Sequence, residues 1–265
     1  MNVYDISGNA YVIGQGGMGL QTKKNNSGLV TEFLAVAQSY LNRNSLEYKD
    51  GDTIMYKSTE TNGIDCSTYT WLCLMGYDYE STPYYTHQYK NPSAWKGNTD
   101  FEWAINPMEY KNSRYADGSN PTEVVRVSAQ IGRWMAERSQ IVPIDNGFID
   151  VQPGDIVFWA RKDSQTGDWV RPTWYKNINH VGIVLMKEDA PNTYVDSGGT
   201  TRNWDKTKYP YKHQIIDVRV ETPPCQTLHW LEEGQEDATN VYLNNVNTVA
   251  MVCRPDFGAL SQSTT

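Results

Sequence analysis

The sequence is poor in cysteine and in positive charge, and each shortage argues against a class of protein. Its 265 residues include four cysteines, four histidines, and 23 lysines and arginines against 31 aspartates and glutamates, for a net charge of −8. Four scattered cysteines are too few for a disulfide framework. The negative charge argues against a nucleic-acid partner, which selects for a basic surface. No run of about 20 apolar residues is present, so we expect no membrane span.

A metal site is not expected either. The spacing of Cys66 and Cys73 matches neither a redox pair nor a zinc knuckle, and no cofactor motif is present. Aromatic residues are plentiful, with nine tryptophans and 18 tyrosines. Such rings suit a groove that binds carbohydrate or peptide, and they suit an aromatic-rich core equally well.

The pattern along the chain predicts a short arm followed by one domain. Residues 1–27 are rich in glycine and asparagine and are interpreted as an N-terminal arm or linker, and residues 28–265 as a single domain. Apolar spacing predicts helices over Leu29–Arg43, from about Cys66, and over Pro121–Gln140 with proline at the first position. Residues 80–120 are crowded with tyrosine, tryptophan, asparagine and proline, and are interpreted as an insertion that is either a surface loop or a groove wall.

After Pro153 the pattern changes to short β-branched and aromatic runs separated by turn residues. These runs, DIVFWAR, HVGIVLM, NTYVDSG, QIIDVRVE and VAMVCRP, predict antiparallel strands. Helices first and strands later indicate an α+β fold, with a helical half packed on a sheet.

Three residues have the chemistry of a thiol nucleophile, a general base and a group that orients the base. Cys66 lies where a helix is predicted to begin, which favours the thiolate, and Asp65 or Ser67 can cap that helix. His180 opens an apolar strand and can serve as the base, and Asp196 on the following run can orient its ring. Each also has a structural interpretation: a buried small hydrophobe for Cys66, a hydrogen-bonded structural histidine for His180, and a turn former for Asp196.

The combination resembles the NlpC family of bacterial and phage cell-wall cysteine peptidases. Three blocks carry the resemblance, in the family's order: Gly63-Ile64-Asp65-Cys66-Ser67, Gln152-Pro153-Gly154-Asp155-Ile156-Val157-Phe158-Trp159, and Asn179-His180-Val181-Gly182-Ile183-Val184. The resemblance covers Leu29 to Phe257 and implies a papain-like fold, in which a helix-borne nucleophile packs against a sheet that carries the base. Thr68 departs from the family, which usually has glycine there.

The resemblance also implies roles for single residues. Cys66 matches the nucleophile, His180 the base, and Asp196 the third, orienting position, with Ser197 and Asn179 as alternatives there. The candidate substrate-binding residues are Tyr56, Asp65, Ser67, Trp159 and Ser197.

The implied activity is hydrolysis of an amide bond in the peptide stem of peptidoglycan, either between γ-D-glutamate and the diamino acid or in a cross-bridge. An amidase reaction between muramic acid and L-alanine stays open, as does a non-catalytic virion or wall-binding module. The permuted thiol acyltransferases carry His before Cys, the reverse of the order here. The start MNVYDISGNAYVIGQGG lacks the basic-then-apolar layout of a secretory signal. We therefore expect a phage product, either an endolysin or a tail-associated enzyme, with peptidoglycan and phage virion proteins as candidate partners.

Overall fold

The computed structural model describes residues 2–4, 10–12, 26–48, 62–80, 123, 125–163, 165–196, 199–220, 223–232 and 247–257, with parts of 98–116. Most of the predicted arm and of the predicted aromatic insertion lies outside these residues.

Three α-helices occur within the described residues: α1 (Asn26–Gln38), α2 (Cys66–Leu74) and α3 (Ser128–Arg138). The prediction for α3 was wrong at its start, because the helix begins at Ser128 and not at Pro121. The side-chain oxygen of Gln130 accepts hydrogen bonds from the backbone N–H groups of Arg126 and Val127, which caps the helix at that point. No helix in the described part of the chain is long and apolar enough to cross a membrane.

The strands follow in chain order and are labelled β1 (Asn2–Tyr4), β2 (Ala10–Val12), β3 (Leu46–Tyr48), β4 (Asn62–Ile64), β5 (Gln140–Val142), β6 (Ile156–Arg161), β7 (Ile178–Asp189), β8 (Thr193–Val195), β9 (Thr201–Asn203), β10 (Tyr211–Val218), β11 (Cys225–Trp230) and β12 (Asn247–Arg254).

One antiparallel sheet of six strands forms the framework, in the order β11-β10-β7-β6-β12-β5. Each of the five predicted strand runs overlaps one of the observed strands, and four of these strands belong to this sheet. The fifth, β8, pairs only with β9 in a separate antiparallel hairpin. This hairpin lies in the connection between β7 and β10, which are neighbours in the large sheet. The mixture of helices with an antiparallel sheet confirms the α+β class.

The sheet separates two apolar layers. Alternate residues of β6 point to opposite sides, so Ile156 and Phe158 join the cluster that contains the helices, while Val157 joins the other cluster. Trp71 and Trp134, from α2 and α3, are fully buried in the helical layer. Part of the aromatic content therefore forms core rather than groove.

Candidate active site

A cavity of about 200 Å³ at the start of α2 brings Cys66 and His180 together. The start of α2 lines it with Asp65, Cys66 and Ser67, and β7 lines it with Asn179 and His180. The remaining lining residues come from β3, the start of α3, and the end of β6 with the loop that follows it: Tyr48, Val127, Ser128, Arg161, Val170, Arg171 and Trp174. The predicted nucleophile and base thus share one concave site.

A larger cavity, of about 520 Å³, lies around Gly147 and Tyr209. None of the described residues that line it is a cysteine or a histidine. Its size therefore does not make it the better candidate for chemistry, since a site needs reactive groups as well as volume.

Cys66 is the first residue of α2, as predicted from its capping residues. β4 leads into the helix, and Asp65 is its N-cap with an extended backbone. The Asp65 carboxylate accepts a hydrogen bond of 2.6 Å from the Thr68 backbone N–H and one of 2.9 Å from the Ser67 hydroxyl. Cys66 is 8% exposed and lies at the positive end of the helix dipole.

The other three cysteines are in a different environment. All four cysteines are free, and Cys73, Cys225 and Cys253 are fully buried in the helical layer. Burial raises the pKa of the Cys73 and Cys225 thiols well above the ordinary range, and it raises that of Cys253 to about 12. These three thiols are therefore structural, whereas Cys66 lines the cavity that His180 also lines.

His180 is oriented by a carboxylate on the neighbouring strand. Its Nε2 lies 2.7 Å from Oδ2 of Asp217, and the two side chains are 12% and 2% exposed. A carboxylate only accepts, so the ring hydrogen is assigned to Nε2, and in the neutral ring Nδ1 carries the basic lone pair. This is the tautomer that a base needs when its other nitrogen faces a nucleophile.

Two neighbours allow Asp217 to occupy this buried position: one compensates its charge, and the other leaves space for its strand. The Arg219 guanidinium donates through Nε and Nη2, each 2.9 Å from Oδ2, and compensates the buried negative charge. Gly182 pairs with Asp217 across β7 and β10. A Cβ atom on Gly182 would lie 3.0 Å from the Cβ of Asp217 and 2.9 Å from the side chain of Ile215, so the close approach of the two strands depends on this glycine.

The expectation that Asp196 orients His180 is corrected by this geometry. Asp196 follows β8 in the separate hairpin, where its carboxylate accepts from the Arg202 Nε at 2.8 Å and from the Thr200 backbone N–H at 2.8 Å. The contact that we expected from Asp196 is made by Asp217 instead. The sequence does contain a signal for Asp217: it is an ionisable residue within the apolar run Ile215-Ile216-Asp217-Val218.

The other predicted site residues are distributed as follows. Asp65 and Ser67 line the cavity, although their side chains are also committed to capping α2. The Trp159 ring packs at 40° to the His180 ring, with centroids 5.4 Å apart, and is not among the residues that line the cavity. Tyr56 and Ser197 lie outside the described residues.

The sequence did not point to Arg161, Arg171 and Trp174, which line the side of the cavity formed by the end of β6 and the following loop. These residues lie outside the three sequence blocks, and the loop that carries Arg171 and Trp174 has no sequence motif of its own. Within the described residues, no group of three or more His, Cys, Asp or Glu side chains is arranged to hold a metal ion.

Comparison with known proteins gives no relative: no family model, no curated protein and no solved structure matches the chain.

Proposed function

We propose that the protein is a peptidoglycan hydrolase that cleaves an amide bond of the stem peptide through a Cys66–His180–Asp217 thiol mechanism. The observation that carries the proposal is the shared cavity, in which a cysteine at a helix N-terminus and a histidine held by a buried carboxylate line the same walls. These are the parts of an activated nucleophile: a thiol, a base, and a group that fixes the base.

In the first half of the reaction, Nδ1 of His180 takes the proton of the Cys66 thiol. The thiolate attacks the carbonyl carbon of the amide, a C–S bond forms, and the carbonyl oxygen becomes an oxyanion. The backbone N–H of Cys66, at the positive end of α2, is the donor we assign to this oxyanion, and one such donor is typically worth about 3 kcal/mol.

In the second half, the His180 imidazolium gives its proton to the leaving nitrogen as the C–N bond breaks. This releases the amine and leaves a thioester on Cys66. Water, deprotonated by His180, then attacks the thioester, which yields a carboxylic acid and restores the thiol. Asp217 and Arg219 keep the ring in place and balance its charge through both proton transfers.

The motif resemblance supplies the substrate class and the family. The three sequence blocks support membership of the NlpC family and a papain-like arrangement of α2 against the sheet, and they support a phage origin for an enzyme that acts on the cell wall. Within the class, an endopeptidase acting next to γ-D-glutamate is the reaction we propose, with the muramoyl-alanine amidase as the alternative on the same site.

The proposal is tested by mass spectrometry of fragments released from purified peptidoglycan. The wild-type chain is compared with Cys66→Ala, and Cys73→Ala serves as the matched control because it removes a buried thiol from the same helix. We expect new fragments from the wild type and from the folded fraction of Cys73→Ala, and none from Cys66→Ala.

The chemical ends of the fragments identify the bond. New N-termini on the diamino acid or a cross-bridge residue indicate an endopeptidase, while free muramic acid with L-alanine N-termini indicates the amidase. If folded wild-type protein releases nothing from walls of several peptide compositions, the hydrolase proposal is wrong and a binding module takes its place.

A further inference from the structure

One side of the cavity carries polar groups that the thiol mechanism does not use. Arg161 ends β6, Trp174 lies in the loop that follows, and Asn179 precedes His180 on β7; all three line the cavity that contains Cys66. The Arg161 Nε, the Trp174 Nε1 and the Asn179 Oδ1 are each buried and without a hydrogen-bond partner among the described residues. Buried polar atoms are normally paired, so three at one wall indicate a ligand that pairs them.

Arg161 is also not neutralised by the acidic residues described around it. The pKa of the Asp163 carboxyl is lowered mainly by two backbone hydrogen bonds, and the positive charge of Arg161 makes a smaller contribution in the same direction. The Asp163 Oδ1 is occupied by the backbone N–H groups of Gln165 and Thr166, at 2.8 and 3.0 Å. Arg161 forms no ion pair with any described carboxylate.

A second positive charge reinforces this wall. The Arg171 guanidinium lies 4.7 Å from the centre of the Trp174 ring, and Arg171 lines the same cavity. Asp65 also lines this cavity, but its carboxylate accepts the hydrogen bonds that cap α2. In a chain of net charge −8, two guanidinium groups in the lining of one small cavity therefore favour an anion on their side of it.

The hydrogen-bonding pattern defines the ligand more closely. The Arg161 Nε and the Trp174 Nε1 are donors, and a carboxylate, which only accepts, can satisfy both. The Asn179 Oδ1 is an acceptor and requires an N–H nearby. A residue that carries a free carboxylate next to an amide N–H satisfies all three. An α-linked peptide has such a group in its backbone only at its C-terminus, whereas a γ-linked glutamyl residue keeps its α-carboxylate free within the chain.

We propose that Arg161, together with Trp174 and Asn179, forms an anion subsite that selects substrates with a free carboxylate beside the scissile amide. The proposal rests on the proposed function and adds a specificity-determining residue to it. A guanidinium fork matches a carboxylate with two parallel hydrogen bonds, so the subsite discriminates a carboxylate from a carboxamide of the same shape.

The test measures binding separately from cleavage. Cys66→Ala protein is titrated by calorimetry with L-alanyl-γ-D-glutamyl-L-lysine amide, in which the glutamyl α-carboxylate is the only free carboxylate, and with the analogue in which that carboxylate is a carboxamide. We expect the carboxylate peptide to bind about tenfold more tightly, and Arg161→Gln in the same background to abolish that preference. Lys162→Gln is the matched control, since it removes the neighbouring charge; Lys162 lies 4.8 Å from the Trp169 ring centre and does not line the cavity.

The outcomes separate the two proposals. Equal affinity for both peptides, no binding of either, or a preference that survives Arg161→Gln overturns the anion subsite. If the preference depends on Arg161 but the wild-type chain cuts neither peptide nor peptidoglycan, the subsite stands and the hydrolase proposal fails. Arg161→Lys, which keeps the positive charge but lacks the guanidinium fork, is measured in the same way. If Arg161→Gln does not fold, an undiminished preference of Arg161→Lys for the carboxylate peptide overturns the role of the guanidinium fork.

Discussion

Two histidines on adjacent strands of the same sheet are each paired with a carboxylate, and the two pairs differ in what surrounds them. His180 on β7 meets Asp217 at 2.7 Å, and His213 on β10 meets Glu232 at 2.6 Å. The side chains of the second pair are both 0% exposed, whereas that of His180 is 12% exposed and lines the cavity of Cys66. By distance alone the two pairs are equivalent.

The difference lies in the second ring nitrogen. In His213 the Nε2 is 3.3 Å from the Val151 carbonyl oxygen, and Glu232 also accepts from the His213 backbone N–H, so the pair is enclosed in a structural network. In His180 the carboxylate holds Nε2 and the ring lies in the wall of a cavity shared with a thiol. A histidine–carboxylate pair is therefore a candidate for catalysis only where its other nitrogen can reach a substrate.

The largest expected effect comes from removing each histidine in turn. His180→Ala is expected to lower kcat by about 10⁴-fold because the base is lost, with little change in stability since Asp217 keeps its ion pair with Arg219. His213→Ala is expected to lower the free energy of unfolding by about 3 kcal/mol, because it leaves Glu232 buried without its partner.

Wall-hydrolysis rates and urea denaturation of both variants measure the two effects. A loss of activity in folded His213→Ala that equals the loss in His180→Ala would contradict the division into a catalytic and a structural pair.

The next largest effect is expected from replacing the carboxylate of Asp217, with that of Asp196 as the comparison. Asp217→Asn keeps the side-chain shape but removes the charge that orients the His180 ring, so kcat/KM is expected to fall by about 100-fold. Asp196→Asn is the control, because Asp196 is bonded to Arg202 and Thr200 in the hairpin, and its activity is expected to stay at the wild-type level. Steady-state kinetics on a peptide substrate measure kcat/KM for both variants. Equal losses of kcat/KM in the two variants would contradict the assignment of the orienting role to Asp217 alone.

The smallest expected effect is on thiol reactivity. Iodoacetamide at neutral pH is expected to label Cys66 alone in the native protein, and His180→Ala to slow that labelling by about tenfold, while His213→Ala leaves it unchanged. Burial raises the pKa of Cys253 to about 12, so its thiolate appears only as the pH rises toward that value, and Cys73 and Cys225 are raised in the same direction.

Peptide mapping by mass spectrometry gives the site and the rate of modification. If Cys66 is labelled at the same rate in His180→Ala as in the wild type, His180 does not act as the base for this thiol.

The parts of the fold and site that depend on local sequence were predictable. Asp65 caps α2 and places Cys66 at its first position because the capping pattern is contained within a few residues. The strand that carries His180 was predictable from its β-branched run. The start of α3 was not, because the interpretation relied on Pro121, whereas Gln130 decides where the helix begins.

Strand pairing accounts for the error at the third site residue. The run that contains Asp196 follows β7 in the chain, and sequence order suggested that it also follows β7 in the sheet. The strand that pairs with β7 on the side away from β6 is β10, which begins after the β8–β9 hairpin. Pairing between distant segments is decided by tertiary packing, which short windows of sequence do not contain. The same applies to Arg161 and Trp174, which line one cavity only once the loop after β6 has folded.

The β8–β9 hairpin has a consequence for how such sites are recognised by spacing. His180 and Asp217 are 37 residues apart in the chain, yet the ladder from Tyr211–Asp189 to Asp217–Gly182 fixes their distance whatever the connection contains. The connection can therefore gain or lose residues without moving the carboxylate relative to the ring. A search that fixes the number of residues between a histidine and its acid would miss this arrangement, whereas one that follows the paired strand would find it.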